Sequence, residues 1–334
     1  MRRMTLWILL FAVVGGIASA RQVPPTHASA LRWYKGNTHA HTLESDGDST
    51  PDVVTKWYRD HGYQFLVLSD HNVLTAIDGL NARYAVPETF TLIKGEEVTS
   101  RVGLKAVHVN GIDTRARVGA QTGASLLEVL QKSVDGIRRE GGVPHINHPN
   151  FQWSLTSDEL RQVRNNKLFE IYNGHPKVNN AGGGGVQGTE AAWDAILSSG
   201  VLLYGIAVDD AHNFTEPGNP DVAGPGRGWV VVRAAALGAR AILEALERGD
   251  FYASTGVELT DVQSTSSSMT ITVRQAPWAK YRIQFIGRGG VVLHEALDSP
   301  ATYEFKGTEG YVRARILESN GRIAWVQPVL VGSR

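Results

Sequence analysis

Eleven histidines stand in this 334-residue chain, and their placement is its main chemical signal. His39 and His41 form an H-x-H pair, and Asp46 follows in a polar, glycine-containing loop. Asp70-His71, Glu96-Glu97, His108, His145 with His148, and Asp210-x-His212 come later. Neutral imidazoles mixed with carboxylates suit zinc, manganese or iron. The chain has no cysteine, so cysteine zinc sites and iron–sulfur clusters are excluded. A lone histidine on a strand is more often a hydrogen-bonded core residue than a ligand. A whole set gathered in one place is different, because burying so many ionisable groups without a compensating ion is costly.

The elements that must carry these residues can be read from the hydrophobic pattern. Strand patterns lie near Tyr34–Thr38, Phe65–Ser69, Thr91–Gly95, Ala106–Asn110, Val143–Asn147, Leu168–Asn173 and Leu202–Val208. Helical patterns fall between several of them. One starts at Thr50-Pro51, a capping residue before proline at the first helical position, and stops near Gly62. Another runs from about Ala124 to Glu140 and ends at Gly141-Gly142. Others fall near Ser157–Asn165, Thr189–Ser199 and Ala239–Arg248. This alternation predicts an α/β fold with mostly parallel strands, open or closed as a barrel. The histidines and carboxylates fall at or near the C-terminal ends of the strands, the rim where loops converge and sites assemble. Two histidines at i and i+2 face the same side of a strand, so His39 and His41 can reach one ion. From Val257 onward the pattern changes to short alternating runs, among them Met269–Arg274, Tyr281–Ile286, Tyr311–Leu317 and Ile323–Val331. These predict a small antiparallel β domain of sandwich type.

Composition bounds the function. Hydrophobic residues make 42% of the chain and charged residues 20%, the balance of an ordinary globular protein. Lysine plus arginine number 33, equal to aspartate plus glutamate, so the broad positive field of a nucleic-acid scaffold is absent. Residues 1–20 combine Arg2 and Arg3, an apolar stretch from about Thr5 to Ile17, and Ala18-Ser19-Ala20, which fits a cleaved export signal. The stretch is shorter than the roughly 20 residues that span a bilayer. The reading is therefore an exported protein, periplasmic or secreted, with no membrane anchor after cleavage. A loose linker follows over 21–32, then the α/β unit over 33–256 and the β domain over 257–334.

The ordered motifs resemble those of the PHP (polymerase and histidinol phosphatase) superfamily. They are Gly36-Asn37-Thr38-His39-Ala40-His41 with Ser45-Asp46-Gly47, Ser69-Asp70-His71-Asn72, Gly95-Glu96-Glu97, His108-Val109-Asn110-Gly111, Asn147-His148-Pro149 and Asp210-Ala211-His212. Within it, Phe169–Gly174 and the tail ending Ala324-Trp325-Val326-Gln327-Pro328 are similar to the exported branch related to CehA/McbA-type metallohydrolases. The resemblance implies a distorted seven-stranded (β/α) barrel with a small C-terminal antiparallel β domain, and two or three divalent metal ions. It implies that His39, His41, Glu97 and Asp210 hold one ion and that Asp46, His71 and His212 hold a second. Glu97, at the G-x-E position, would bridge to a third held also by His108 and His148.

Other residues take supporting readings. Asp70 is placed to orient His71 or a neighbouring ligand, and His145 either supports the ligands or packs in the core. Asn173 and His175 end the sixth strand and either contact substrate or belong to a polar loop. Arg227 either grips an anionic group bidentately or is a solvated loop arginine. His175 is the candidate to protonate a leaving group. His27, His61 and His294 have no motif context. There is no serine or cysteine nucleophile motif and no phosphate loop. The expected function is hydrolysis of a small-molecule ester, foremost a phosphate mono- or diester, by metal-activated hydroxide. The alternatives are a carbamate or carboxylic ester hydrolase on the same centre, and a non-catalytic binding protein.

Overall fold

The computed structural model of the protein describes residues 30–332. The expected export signal and most of the expected linker, with His27, lie outside that range. The chain enters on β1 (Arg32–Asn37) and passes through α1 (Pro51–Asp60), β2 (Phe65–Val67), α2 (Asp78–Tyr84) and β3 (Thr91–Ile93). A hairpin of β4 (Gly95–Val102) and β5 (Lys105–Ile112) follows, then α3 (Leu126–Arg139), β6 (Val143–Ile146), α4 (Ser157–Leu160) and β7 (Leu168–Asn173). The small hairpin β8 (Gly182–Gly183) and β9 (Val186–Gln187) precedes α5 (Thr189–Ser198), β10 (Tyr204–Val208), β11 (Trp229–Ala234), α6 (Ala239–Arg248) and β12 (Phe251–Ser254). The tail is built from β13 (Leu259–Ser264), β14 (Ser268–Val273), β15 (Tyr281–Gly287), β16 (Val291–Ala296), β17 (Ala301–Glu304), β18 (Gly310–Glu318) and β19 (Ile323–Val331).

Local chemistry sets the helix limits. The Thr50 side chain accepts from the Val53 N–H, and Pro51 opens α1. Ser125 caps α3 through the Glu128 N–H, and Gly141 ends it in the left-handed region at φ 80°. The helix expected over Ser157–Asn165 is only the four-residue α4, with a capping box between Thr156 and Glu159. Asn165, at φ 60°, already lies outside helical backbone.

The strands are not one all-parallel sheet. A five-stranded sheet runs in the order β10-β7-β6-β5-β4, and a nine-stranded sheet in the order β16-β15-β18-β19-β12-β11-β1-β2-β3. The pairs β1/β2, β2/β3, β6/β7 and β7/β10 are parallel, whereas β4/β5, β5/β6 and β1/β11 are antiparallel. The cause is local: the expected third strand stops at Ile93, and Gly95 begins a second strand. That strand turns at Gly103-Leu104, with Gly103 at φ 60°. So short a turn can join only antiparallel neighbours. At the rim the two sheets meet through the bridges Ala40–Ala211 and His71–Glu97.

The tail forms a sandwich, with the sheet β13-β14-β17 packed on β15, β18 and β19 around Met269, Ile271, Ile283, Phe285, Ala314 and Ile316. Its sheet does not stop at residue 256. β19 pairs with β12, placing Ala253 opposite Trp325, and Tyr311 and Trp325 join the core of Val107, Ile146, Phe169 and Trp193. Among the described residues no helix is long and apolar enough to cross a membrane.

Candidate metal centre

The strand ends place each donor. Beyond β1, alternation turns His39 and His41 to one side, while buried Ala40 between them pairs with Ala211. Backbone bonds from His41 N to Ala211 O (2.8 Å) and from Asp210 N to His39 O (3.1 Å) clamp the two loops together. Asp210 sits at φ 52°, a left-handed conformation that aspartate tolerates better than most residues. Gly47 brings the Asp46 loop against His41, and a Cβ there would meet the His41 carbonyl atoms at 2.8 Å. Asp70 holds the same loop. It accepts from Thr42 N (2.7 Å), Thr42 Oγ1 (2.9 Å), Ser45 Oγ (2.7 Å) and Thr75 Oγ1 (2.7 Å). Its carboxylate therefore positions Asp46 rather than His71. The neighbouring Glu96 points away from the centre, and its Oε1 accepts from the Val118 N–H.

All the proposed ligands converge. His39 Nε2 and His41 Nε2 are 3.0 Å apart, and each lies 3.2 Å from Asp210 Oδ1. Glu97 reaches both, at 3.6 Å from His39 and 3.5 Å from His41. Asp46 lies 3.3 Å from His212 Nε2 and 3.5 Å from His71 Nε2. On the far side, Glu97 Oε1 is 2.9 Å from His108 Nδ1 and 3.3 Å from His148 Nε2. Grouped by distance, the donors form overlapping sets. These are His41 with Asp46, His71 and His212; His39 with His41 and Glu97; His39 with His148 and Asp210; and His71 with Glu97 and His108. His39, His41, His71 and Glu97 thus each belong to two sets.

These groups fit divalent cations. Glu170 accepts the His39 Nδ1 proton at 2.7 Å, which leaves a lone pair on Nε2 facing the cluster. Burial pulls His41 down to about 4, so it is neutral near pH 7. Two neutral imidazoles cannot hold their Nε2 lone pairs 3.0 Å apart unless a proton or a cation lies between them. Glu97 Oε2 is buried with no donor in line, although His71 Nδ1 lies 2.6 Å away. Without a cation, protons do its work. Burial disfavours charge throughout, yet the surrounding carboxylates lift His39 well above its ordinary value and raise His71 to about 10. The same histidines hold the Glu97 and Asp210 carboxyls well below the usual carboxylate range despite their burial.

Above the centre is a cleft of about 340 Å³, lined by Asp46, His71, Glu97, His108, His148, Asp210 and His212, and by Phe151, His175, Lys177 and Asn213. His175 therefore stands where substrate can reach it. Its Nδ1 accepts from the Lys177 N–H at 3.1 Å, and burial pulls it down to about 4, so it is a neutral imidazole. Two residues read as substrate contacts are placed elsewhere. Asn173 is buried behind the ligands, donating to Glu170 Oε2 (2.8 Å) and Asp210 Oδ2 (3.1 Å). Arg227 spends its guanidinium on the carbonyls of Gly174 (3.0 Å) and Asn219 (2.6 Å). His145 is fully buried, 3.8 Å from Glu170 and 3.4 Å from the Thr38 carbonyl, and supports the floor from behind.

Glu170 is a residue that the motifs do not predict. Besides His39, it accepts from the His148 N–H at 2.7 Å. Its signal was a lone carboxylate inside the apolar run of β7, where an unpaired charge would be prohibitive. Lys177 and Asn213 also line the cleft and carry no motif.

No protein-family model matches the chain, and neither does any curated protein. Solved structures do. One is a two-domain protein from Bacteroides vulgatus containing a predicted PHP-like metal-dependent phosphoesterase. It is 16% identical at a TM-score of 0.54, over 90% of this chain and 94% of that one. This likeness concerns the fold, and it spans the tail as well as the cleft-bearing sheets. Looser likenesses are to a candidate metal-dependent phosphoesterase from Bifidobacterium adolescentis (TM-score 0.41, 12% identity, 55% of this chain and 90% of that one) and a lesion-specific endonuclease from Pyrococcus furiosus (TM-score 0.39, 11% identity, 65% and 56%). At those scores they carry no argument.

Proposed function

We propose that this chain, which shares its fold with a PHP-like two-domain protein, is an exported metal-dependent hydrolase that cleaves phosphoric esters of small molecules. The observation that carries the reading is the convergence of His39, His41, Asp46, His71, Glu97, His108, His148, Asp210 and His212 on one cleft. Two or three divalent ions, of manganese, zinc or iron, are the complement of that donor set. When bound, such ions make hydroxide available near neutral pH and neutralise charge on the oxygens of the reacting group.

The chain's own residues prepare the site. Glu170 fixes the His39 tautomer, Asn173 holds Asp210, and Asp70 holds the Asp46 loop. Buried His39 and His41 form the floor, beneath the ligands that line the cleft. His175 faces the cleft as a neutral imidazole and donates through Nε2, which suits it to stabilise a leaving oxygen.

The test is a panel of aryl phosphates, aryl carbamates and aryl carboxylic esters, assayed after reconstitution with manganese or zinc. Turnover of phosphates is expected. Inactivity on every phosphate would overturn the assignment, and turnover of carbamates alone would move it to that class. Replacing His39 and His41 together by alanine is expected to abolish metal content and hydrolysis, and retained hydrolysis would refute the centre.

A further inference from the structure

The cleft is lined by four residues that are not proposed ligands: Phe151, His175, Lys177 and Asn213. What the polar three can offer a substrate follows from what their other atoms already do. His175 Nδ1 is occupied by the Lys177 N–H, so its proton sits on Nε2. Asn213 Oδ1 takes the Ala223 N–H at 3.1 Å, and the Asn213 N–H reaches the Ala223 carbonyl at 2.9 Å. This reciprocal pair fixes the amide orientation and leaves Nδ2 as the atom on offer. Lys177 is the only lysine or arginine lining the cleft, and among the described residues its Nζ has no ion-pair partner. An ammonium accepts nothing. The remaining polar lining consists of the proposed ligands, whose carboxylates face histidines.

We infer that His175, Lys177 and Asn213 form a donor-only wall that selects a substrate group rich in acceptor oxygens and negative charge, namely a phosphoryl group. A carbamate brings an N–H that would find no acceptor on this wall, and a carboxylic ester brings neither charge nor enough acceptors to pair three donors. Discrimination of this kind is strong because the mismatched ligand leaves polar groups unpaired. Phe151 is the apolar part of the lining and suits a hydrophobic edge of the esterified group.

The inference rests on the hydrolase reading, and its test separates the two. Binding of inorganic phosphate is measured by calorimetry on metal-free and metal-loaded protein, for wild type, Lys177→Met and Lys177→Arg. In parallel, kcat/KM is measured for 4-nitrophenyl phosphate and 4-nitrophenyl acetate. Lys177→Met is expected to weaken phosphate binding by about tenfold or more, as loss of a charge-assisted contact implies. The preference for phosphate over acetate should fall by a similar factor, mainly through KM, and Lys177→Arg should restore most of both. Phosphate binding within about twofold of wild type in Lys177→Met overturns the wall, as does an equal loss on both esters. A wild-type protein that binds phosphate through Lys177 but cleaves no ester would keep the wall and refute the hydrolase.

Discussion

Glu170→Gln should weaken metal binding without unfolding the protein. Glu170 is buried and receives three donors: His39 Nδ1 on Oε1 at 2.7 Å, and the His148 N–H and Asn173 Nδ2 on Oε2 at 2.7 and 2.8 Å. A glutamine offers one acceptor oxygen and one donor group. If its oxygen faces His39, its amide hydrogens confront the His148 and Asn173 donors, and two buried hydrogen bonds are lost. If its nitrogen faces His39, that ring must shift its proton to Nε2, the atom that faces His41 and Asp210, and the lone pair disappears from the cluster. Either orientation also removes the negative charge that strengthens His39 as a donor of electrons. Loss of such an outer partner typically costs about 10- to 100-fold in metal affinity, which is roughly 1.4–2.8 kcal/mol. The assay is chelator competition with zinc or manganese on wild type and Glu170→Gln, with circular dichroism to show that both are folded. An affinity within about twofold of wild type, in a folded variant, would refute the claim that Glu170 sets the His39 tautomer.

Four further outcomes are expected. In metal-free protein His71 is raised to about 10, above its unfolded value of about 6.5. Its contribution to stability is then complete below about 6.5 and lost as pH rises through about 10, so the metal-free Tm should fall across that window. Metal binding at pH 8 should release protons, read by calorimetry in buffers of different ionisation enthalpy, and zero release would contradict this. Asp209 is buried and accepts from Tyr58 OH and the N–H groups of Gly226, Arg227 and Gly228, so Asp209→Ala orphans four donors. It should cost on the order of 3 kcal/mol in urea unfolding, and a loss below about 1 kcal/mol would be inconsistent with that role. Arg313, from β18, pairs bidentately with Asp194 of α5 at 2.7 and 2.8 Å in the core. Arg313→Met should cost about 3–5 kcal/mol, and adding Asp194→Leu should recover much of it. Additive losses would argue against coupling between tail and α5.

The site was far more legible in the sequence than the fold around it. His39-x-His41, Asp70-His71 and Asp210-x-His212 are local patterns at strand ends, and a two-residue alternation is enough to aim them. Glu170 was hidden because its meaning depends on His39, which lies far along the chain. Asn173 and Arg227 look like substrate contacts from their neighbours in sequence, but their partners are backbone and carboxylate groups that only the folded loops bring near. Strand direction was similarly concealed. The pattern predicts one strand over Thr91–Gly95, whereas a separate strand starts at Gly95 and Gly103 turns it back along β5, and no strand is predicted over Trp229–Ala234. The pairing of β12 with β19, which carries one sheet across the expected boundary at 256, joins segments with no local signature of contact.

The central claim is that these scattered residues form one polynuclear metal centre with Glu97 as its shared ligand. The direct measurement is metal stoichiometry by mass spectrometry on purified wild type and Glu97→Gln, each reconstituted with zinc or manganese and dialysed. Two or three ions per chain are expected in wild type, with loss of most of them in a folded Glu97→Gln variant. A metal-free wild type, or a Glu97→Gln variant that keeps the full complement, would contradict the account.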